Sequence, residues 1–195
     1  MDAAAGHTSE IELARERLLA GLREHALVIG EVTLTSGATA RYYVDAKRAI
    51  LLPDTFSALG VLLAEQARVC QATAVGGVPV SAIPVACAAL AGGQLQKAFI
   101  VRKERKAHGL GRWIEGPALT PGERCLLVED VVTTGGSTIE ALQRLREEGV
   151  TVAGVISVLD RLAGGAEAIR EALGGQAPYV ALCTIEEIYP DRPDR

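Results

Sequence analysis

At 195 residues with 49% apolar side chains, the chain is long enough for one compact domain with a sizeable core, and too apolar to be disordered. A net charge of −4 and an aromatic content of only 4% argue against nucleic-acid partners, which favour basic faces and stacking platforms. No basic-then-apolar leader opens the sequence and no apolar run approaches about 20 residues, so a soluble, cytoplasmic protein without a membrane partner is expected.

Met1 to His7 reads as a loose tail. Ser9 with Glu12 forms a capping-box pattern, and Ile11, Ala14, Leu18 and Leu22 share one face, predicting a helix over about Glu10–Glu24. His25 follows as a helix-end residue without a role. Ala26–Leu34 is β-branched, Ser36-Gly37 is a turn signal, and Arg41–Asp45 is a second short strand. Together they predict a hairpin-like unit outside the main repeat. Pro53 then stands at the first turn of a helix carrying Phe56, Leu59, Leu62 and Leu63.

From there strands and helices alternate, as in βαβ units. The strands are Ala72–Val75 (ended by Gly76-Gly77), Lys97–Val101, Arg124–Val128, Thr151–Leu159 and Tyr179–Thr184. The helices are Ser81–Leu90, one opening at the 130s, and Ala166–Leu173. Pro190 to Arg195 is a polar tail expected to be mobile. Cys70, Cys87, Cys125 and Cys183 are widely spaced among apolar neighbours and lack a C-x-x-C pairing, so they read as reduced core residues.

The densest chemistry lies in Leu126–Thr138, LLVEDVVTTGGST. A continuous apolar run, typical of a buried parallel strand, meets two carboxylates, Glu129 and Asp130. Val131 and Val132 lead into Thr133-Thr134-Gly135-Gly136-Ser137-Thr138. A helix then opens, with Ile139, Leu142 and Leu145 on one face. Glycines let backbone N–H groups approach a ligand, and a helix N-terminus favours an anion. Ionised carboxylates suit vicinal hydroxyls, which donate to them. A ligand with a diol at one end and phosphate at the other is a ribose 5-phosphate. No Lys follows Gly136, so a P-loop does not fit, and no G-x-G-x-x-G is present. An ordinary strand–turn–helix is the bland alternative, but two adjacent acids at a buried strand end are costly without a partner.

A second concentration is Arg102-Lys103-Glu104-Arg105-Lys106-Ala107-His108-Gly109-Leu110-Gly111-Arg112. A solvated charged loop is the plain reading. Its start at the end of a buried strand, where open α/β sheets bind ligands, and its two glycines point instead to a basic lid. Such a lid suits a leaving group that gains negative charge.

The stretch Glu129–Ser137 resembles the phosphoribosyl-pyrophosphate (PRPP) signature of the type I phosphoribosyltransferases. The lid pattern Arg-Lys-x-x-Lys-x-His-Gly, with Ile114–Gly116 after it, resembles the orotate-using branch of that family. The resemblance covers about Glu31 to Arg161. It implies an α/β fold: a Rossmann-like parallel sheet flanked by helices, core about 51–185, with a small N-terminal hood, mainly 1–50 with a C-terminal contribution. It implies PRPP binding by Arg102, Lys103, Lys106, His108, Gly76, Gly77 and the run Glu129, Asp130, Val131, Val132, Thr133, Thr134, Gly135, Gly136 and Ser137. Lys103, Lys106, His108 and Asp130 become the catalytic candidates. Thr133, Arg161, Tyr42 and Tyr43 become the orotate candidates, a guanidinium being suited to grip a carboxylate. Mg²⁺ is implied as a cofactor, with no dedicated protein ligand set. A homodimer with shared sites is implied as well. One departure stands out: many relatives carry a Lys beside Ser36-Gly37, where this chain has Thr35 and Ala38, so the contact made by that Lys is either missing or supplied by Arg41. Transfer to another base and PRPP sensing without turnover are the alternative functions.

Overall fold

Alternating apolar strands and amphipathic helices close into a mostly parallel sheet covered on both faces. The computed structural model describes residues 3–33, 39–105, 113–120 and 122–194. Among them run α1 (Ala3–Gly21), a π-helical turn (Leu22–Ala26), β1 (Leu27–Thr33), β2 (Thr39–Val44), α2 (Lys47–Ile50) and α3 (Pro53–Cys70). These are followed by β3 (Ala74–Gly77), α4 (Ala82–Ala91), β4 (Lys97–Val101), β5 (Ile114–Glu115), β6 (Arg124–Val132) and α5 (Gly136–Glu147). The chain continues through β7 (Thr151–Asp160), α6 (Gly165–Leu173), β8 (Tyr179–Thr184) and α7 (Ile185–Ile188).

The main sheet has the order β5-β4-β3-β6-β7-β8, parallel throughout except where β5 pairs with β4. The chain builds outward from β3 to β4, then returns to β6 and builds the other way. The order therefore reverses between β3 and β6. In open α/β sheets the crevice beyond the strand C-termini at such a reversal is where ligands bind.

Side chains alternate across β6. Leu126 and Val128 join α1, α3 and α4 on one face, while Cys125 and Leu127 join α5 and α6 on the other. Burial on both faces is why this strand reads as unbroken hydrophobicity. Leu126, Leu127, Ile156 and Leu159 are at most 1% exposed, and burying each contributes about 1.5–3 kcal/mol.

The predicted hairpin forms. β1 and β2 pair antiparallel, with Ile29 opposite Tyr42 and a bulge before Val32.

Several boundaries differ from the sequence reading. The first helix starts at Ala3, not Glu10. Ala3–Ala5 are the strongest helix formers, so Ser9 and Glu12 lie inside the helix and cap nothing. β6 does not stop at Val128 but continues through the acid pair, because β7 pairs it out to Val132–Asp160. Gly76 and Gly77 are the last two residues of β3 and not a turn that follows it. Cys87 is exposed, while Cys70, Cys125 and Cys183 are buried and free. Burial pushes the Cys125 and Cys183 thiols up to about 12, so neither is a nucleophile. Thr184 caps α7 reciprocally with Glu187, and Tyr189 packs edge-on against Tyr42 at 5.3 Å. The tail beyond, expected to be mobile, is docked: Asp194 accepts the Tyr42 hydroxyl at 2.9 Å and Arg192 lies 3.9 Å from Glu186.

Candidate functional site

Glu129 and Asp130 sit at the C-terminal end of β6, beside the reversal in strand order, and are 7% and 8% exposed. The Ser137 hydroxyl donates to Glu129 Oε2 at 3.1 Å, and the Asp130 backbone N–H donates to Oε1 at 3.2 Å. These bonds do not offset the desolvation. Burial, and then the neighbouring Asp130 carboxyl, push the Glu129 carboxyl up to about 7. Two buried acids side by side, facing no Lys or Arg within ion-pair distance among the described residues, form a site waiting for donors.

Immediately beyond lies the turn into α5. Gly135 adopts φ +78, a left-handed conformation that glycine takes without steric cost. The turn is held from outside, since the Gly165 N–H donates to the Thr133 carbonyl at 3.0 Å and the Arg161 N–H to the Val132 carbonyl at 2.9 Å. Val131 to Thr138 enclose a recess of about 150 Å³. That is several times the roughly 30 Å³ of one liquid water, enough for one tetrahedral oxyanion at a helix N-terminus. The Thr138 hydroxyl is buried there without a hydrogen-bond partner among the described residues.

Gly76 and Gly77 end β3 on the other side of the reversal. A Cβ on Gly76 would lie 2.2 Å from the Phe99 ring, and one on Gly77 2.5 Å from Ala82 Cβ and 2.8 Å from the Val128 carbonyl. Packing alone therefore requires glycine at both. The Pro79–Val80 peptide that follows is cis. Pro79, Val80, Ile100, Arg102, Lys103, Glu104 and Glu115 line an adjoining cleft of about 480 Å³. Arg102 is committed within it, donating to Glu115 at 2.5 Å and to the Glu104 carbonyl at 3.0 Å, whereas Lys103 is exposed.

Arg161 joins the hood to the core. Its guanidinium donates to the Tyr42 phenol oxygen at 2.9 Å and lies 5.1 Å from that ring's centroid. The Tyr42 hydroxyl in turn donates to Asp194 at 2.9 Å. Burial pushes the Tyr42 phenol up, so it remains a donor. Tyr43 is its half-exposed neighbour on the opposite face of β2. Arg41 shares that opposite face and lines a separate cleft with Glu31 and Asp191.

With this geometry in view, comparison with known proteins is decisive. Residues 71–176 match the phosphoribosyl transferase domain family. An orotate phosphoribosyltransferase of Corynebacterium glutamicum (strain R) is 47% identical over 177 residues, covering 90% of this chain and 94% of that one. The chain belongs to the orotate phosphoribosyltransferase family. Its fold agrees with that of Mycobacterium tuberculosis H37Rv orotate phosphoribosyltransferase in complex with Fe(III) dicitrate, with a TM-score of 0.80 at 38% identity, covering 90% of this chain and 99% of that one. The same Mycobacterium tuberculosis enzyme in complex with PRPP gives a TM-score of 0.75 at 34% identity, covering 90% and 98%.

Against the family pattern, Val131–Ser137 line one recess directly after Glu129 and Asp130 in the chain, with Gly76, Gly77, Arg102 and Lys103 across the reversal in strand order. Arg161 and Tyr42 meet at the hood. Lys106, His108, Gly109 and Gly111, and the Leu34–Ala38 segment, lie outside the described residues.

Four further features were not legible in the sequence. Lys47 pairs with Asp45 at 2.7 Å, and its ammonium pKa is raised first by Asp45 and further by Asp130. Gly165 props the turn. Asp194 reaches Tyr42 from the tail. Trp113 closes the basic run: Arg105 and Arg144 stack on it at 5.1 and 4.9 Å. Its indole N–H donates to Glu147 at 2.8 Å, and its backbone N–H to Glu148 at 2.9 Å. The indole bond and Arg105 together hold the Glu147 carboxyl below its ordinary range. Basic runs and lone aromatics carry no periodicity from which such a clasp could be predicted.

Proposed function

We propose that this chain transfers the 5-phosphoribosyl group of PRPP to orotate, giving orotidine 5-monophosphate and pyrophosphate. The observation that carries the reading is a buried acid pair opening onto an oxyanion recess at the N-terminus of α5. That juxtaposition matches the two ends of a ribose 5-phosphate.

Glu129 and Asp130 accept hydrogen bonds from the ribose hydroxyls. The backbone and hydroxyls of Thr133 to Ser137 hold the 5-phosphate. Pyrophosphate lies toward Gly76, Gly77 and the cleft of Arg102 and Lys103, with Lys106 and His108 supplied by the segment that follows. Arg161 grips the acceptor's carboxylate, beside Tyr42, Tyr43 and Thr133. The C1–oxygen bond to pyrophosphate breaks and a C1–nitrogen bond to the base forms through an oxocarbenium-like transition state. No side chain attacks. Catalysis rests on orientation and on stabilising the departing charge.

Among the described residues, no cluster of three or more His, Cys, Asp or Glu offers a ready-made cation site. Two carboxylates, Glu129 and Asp130, beside a phosphate site do fit Mg²⁺, which would be held chiefly by substrate oxygens and water and not by a dedicated set of protein ligands. When bound, the ion neutralises pyrophosphate charge. We further propose a homodimer in which the basic segment serves the neighbouring site. Among the described residues, no helix is long and apolar enough to cross a membrane.

The test is a panel of bases with PRPP and Mg²⁺, followed by pyrophosphate release. Turnover with orotate alone is expected. Release driven by a purine would reassign the acceptor, and PRPP binding without product would make the chain a sensor. Mixing Lys106→Ala protein with Glu129→Gln/Asp130→Asn protein reports on shared sites, since recovered activity requires one protomer to complete the other's.

A further inference from the structure

We infer that Asp160 is a positioning residue that fixes the Arg161 guanidinium for the acceptor's carboxylate. The inference rests on the role proposed above for Arg161.

Asp160 is the last residue of β7 and only 3% exposed. Its Oδ1 accepts the Leu162 backbone N–H at 2.8 Å, and its Oδ2 accepts the Tyr179 hydroxyl at 3.1 Å. That hydroxyl lies 2.8 Å from Ser157 Oγ. Burial pushes the Tyr179 phenol up, so it stays protonated and can donate to the carboxylate while accepting from Ser157. Among the described residues no Lys or Arg pairs with Asp160. A buried carboxylate without a cation is a poor contribution to stability. What it holds in place must explain it.

It holds a turn. Leu162 adopts φ +55 and is 50% exposed. A leucine disfavours the left-handed region, and this side chain packs too little to impose it. The bond from its N–H to Asp160 does so. Arg161 lies between the two, and its own N–H donates to the Val132 carbonyl at 2.9 Å, on the strand that carries the acid pair. With both flanks fixed, the side chain leaves a held backbone and reaches the Tyr42 hydroxyl at 2.9 Å and Asp194 at 3.7 Å. Asp160 thus sets the distance between the acceptor's anchor and the ribose site without touching either substrate.

Steady-state kinetics and thermal unfolding of Asp160→Ala, Asp160→Asn, Arg161→Ala and Asp160→Ala/Leu162→Gly test this. Asp160→Ala should raise KM for orotate about tenfold while leaving KM for PRPP unchanged. Asn keeps an oxygen for the Leu162 N–H and should restore most of the loss. Glycine takes the left-handed turn unaided, so the double variant should also recover, which a merely structural defect would not do. If Asp160→Ala does not fold, Asp160→Leu, close to Asp in shape but without an acceptor for the Leu162 N–H, leaves no cavity and should give the same split. An orotate KM that rises in Arg161→Ala but not in Asp160→Ala or Asp160→Leu overturns the inference and leaves the Arg161 role standing. Equal changes in both KM values overturn it too. An unchanged orotate KM in Arg161→Ala overturns the Arg161 role, and the inference with it.

Discussion

Gly165 lies outside the signature, yet the recess depends on it more than on the signature's own Gly136. A Cβ at Gly165 would stand 2.6 Å from the Thr133 carbonyl oxygen, 2.6 Å from Val132 Cγ1 and 2.9 Å from the Gly135 nitrogen. Ordinary contact begins at 3.4 Å, so 3.4 − 2.6 = 0.8 Å of separation must be found. Two of the three neighbours are backbone and cannot swing aside. Either α6 withdraws or the turn is pushed into its own cavity. Overpacking of this kind costs about 1–3 kcal/mol, which for a domain of this size lowers Tm by roughly 2–12 °C. A displacement of about 1 Å in the phosphate cradle should also weaken PRPP use, by up to about a hundredfold in kcat/KM. At Gly136 a Cβ would meet only Thr134 Oγ1, at 3.9 Å, so Gly136→Ala should melt like the parent and lose only PRPP affinity. Calorimetry with PRPP kinetics on both variants decides. If Gly165→Ala keeps the parent's Tm and kcat/KM, or if Gly136→Ala is the less stable of the two, the steric argument fails.

Because the Glu129 carboxyl rises from 4.5 to about 7 on folding, the native state binds that proton more tightly than the unfolded chain. Its stabilising effect is complete below about pH 4.5 and is lost as pH rises through about 7; denaturant midpoints of the ligand-free protein should fall across that window, and an unchanged slope in Glu129→Gln would refute the assignment. Ionisation across the same range should strengthen PRPP binding, read as a falling KM between about pH 6 and pH 8. Tyr42→Phe keeps the ring that faces Arg161 at 5.1 Å and Tyr189 at 5.3 Å but deletes the hydroxyl between Arg161 and Asp194. Losing about 0.5–1.5 kcal/mol of hydrogen bonding should raise the orotate KM a few-fold, and steady-state rates check it. Gly76→Ala places a methyl 2.2 Å from the Phe99 ring and should cost about 1–3 kcal/mol; Phe99→Leu in the same chain should recover part of the lost Tm.

The parts of the fold that repeat were readable from the sequence. β4 and β8 fall at the predicted residues, because β-branched and apolar runs bounded by polar turns have a distinct signature. Short elements were not. The two-residue β5 and the four-residue α2 and α7 are too brief to show a period, and tertiary contacts decide them. The end of β6 was misplaced because Glu129 and Asp130 look like loop residues, while the ladder with β7 keeps them in the strand. At the site, what a motif encodes locally was legible: the acids, the glycine turn, the helix behind it. What depends on distant segments meeting was not. Nothing in the sequence pointed to Asp160, which accepts hydrogen bonds from Leu162 and Tyr179. The polar tail gave no hint that Asp194 would reach Tyr42, 152 residues away in sequence.

Trp113 is the chain's single tryptophan, and it lies at the root of the basic run with the guanidinium groups of Arg105 and Arg144 at 5.1 and 4.9 Å from its ring centroid. The protein thereby contains its own optical probe. Loss of the Arg105 contact in Arg105→Ala should alter the indole emission, which intrinsic fluorescence reads without an attached dye.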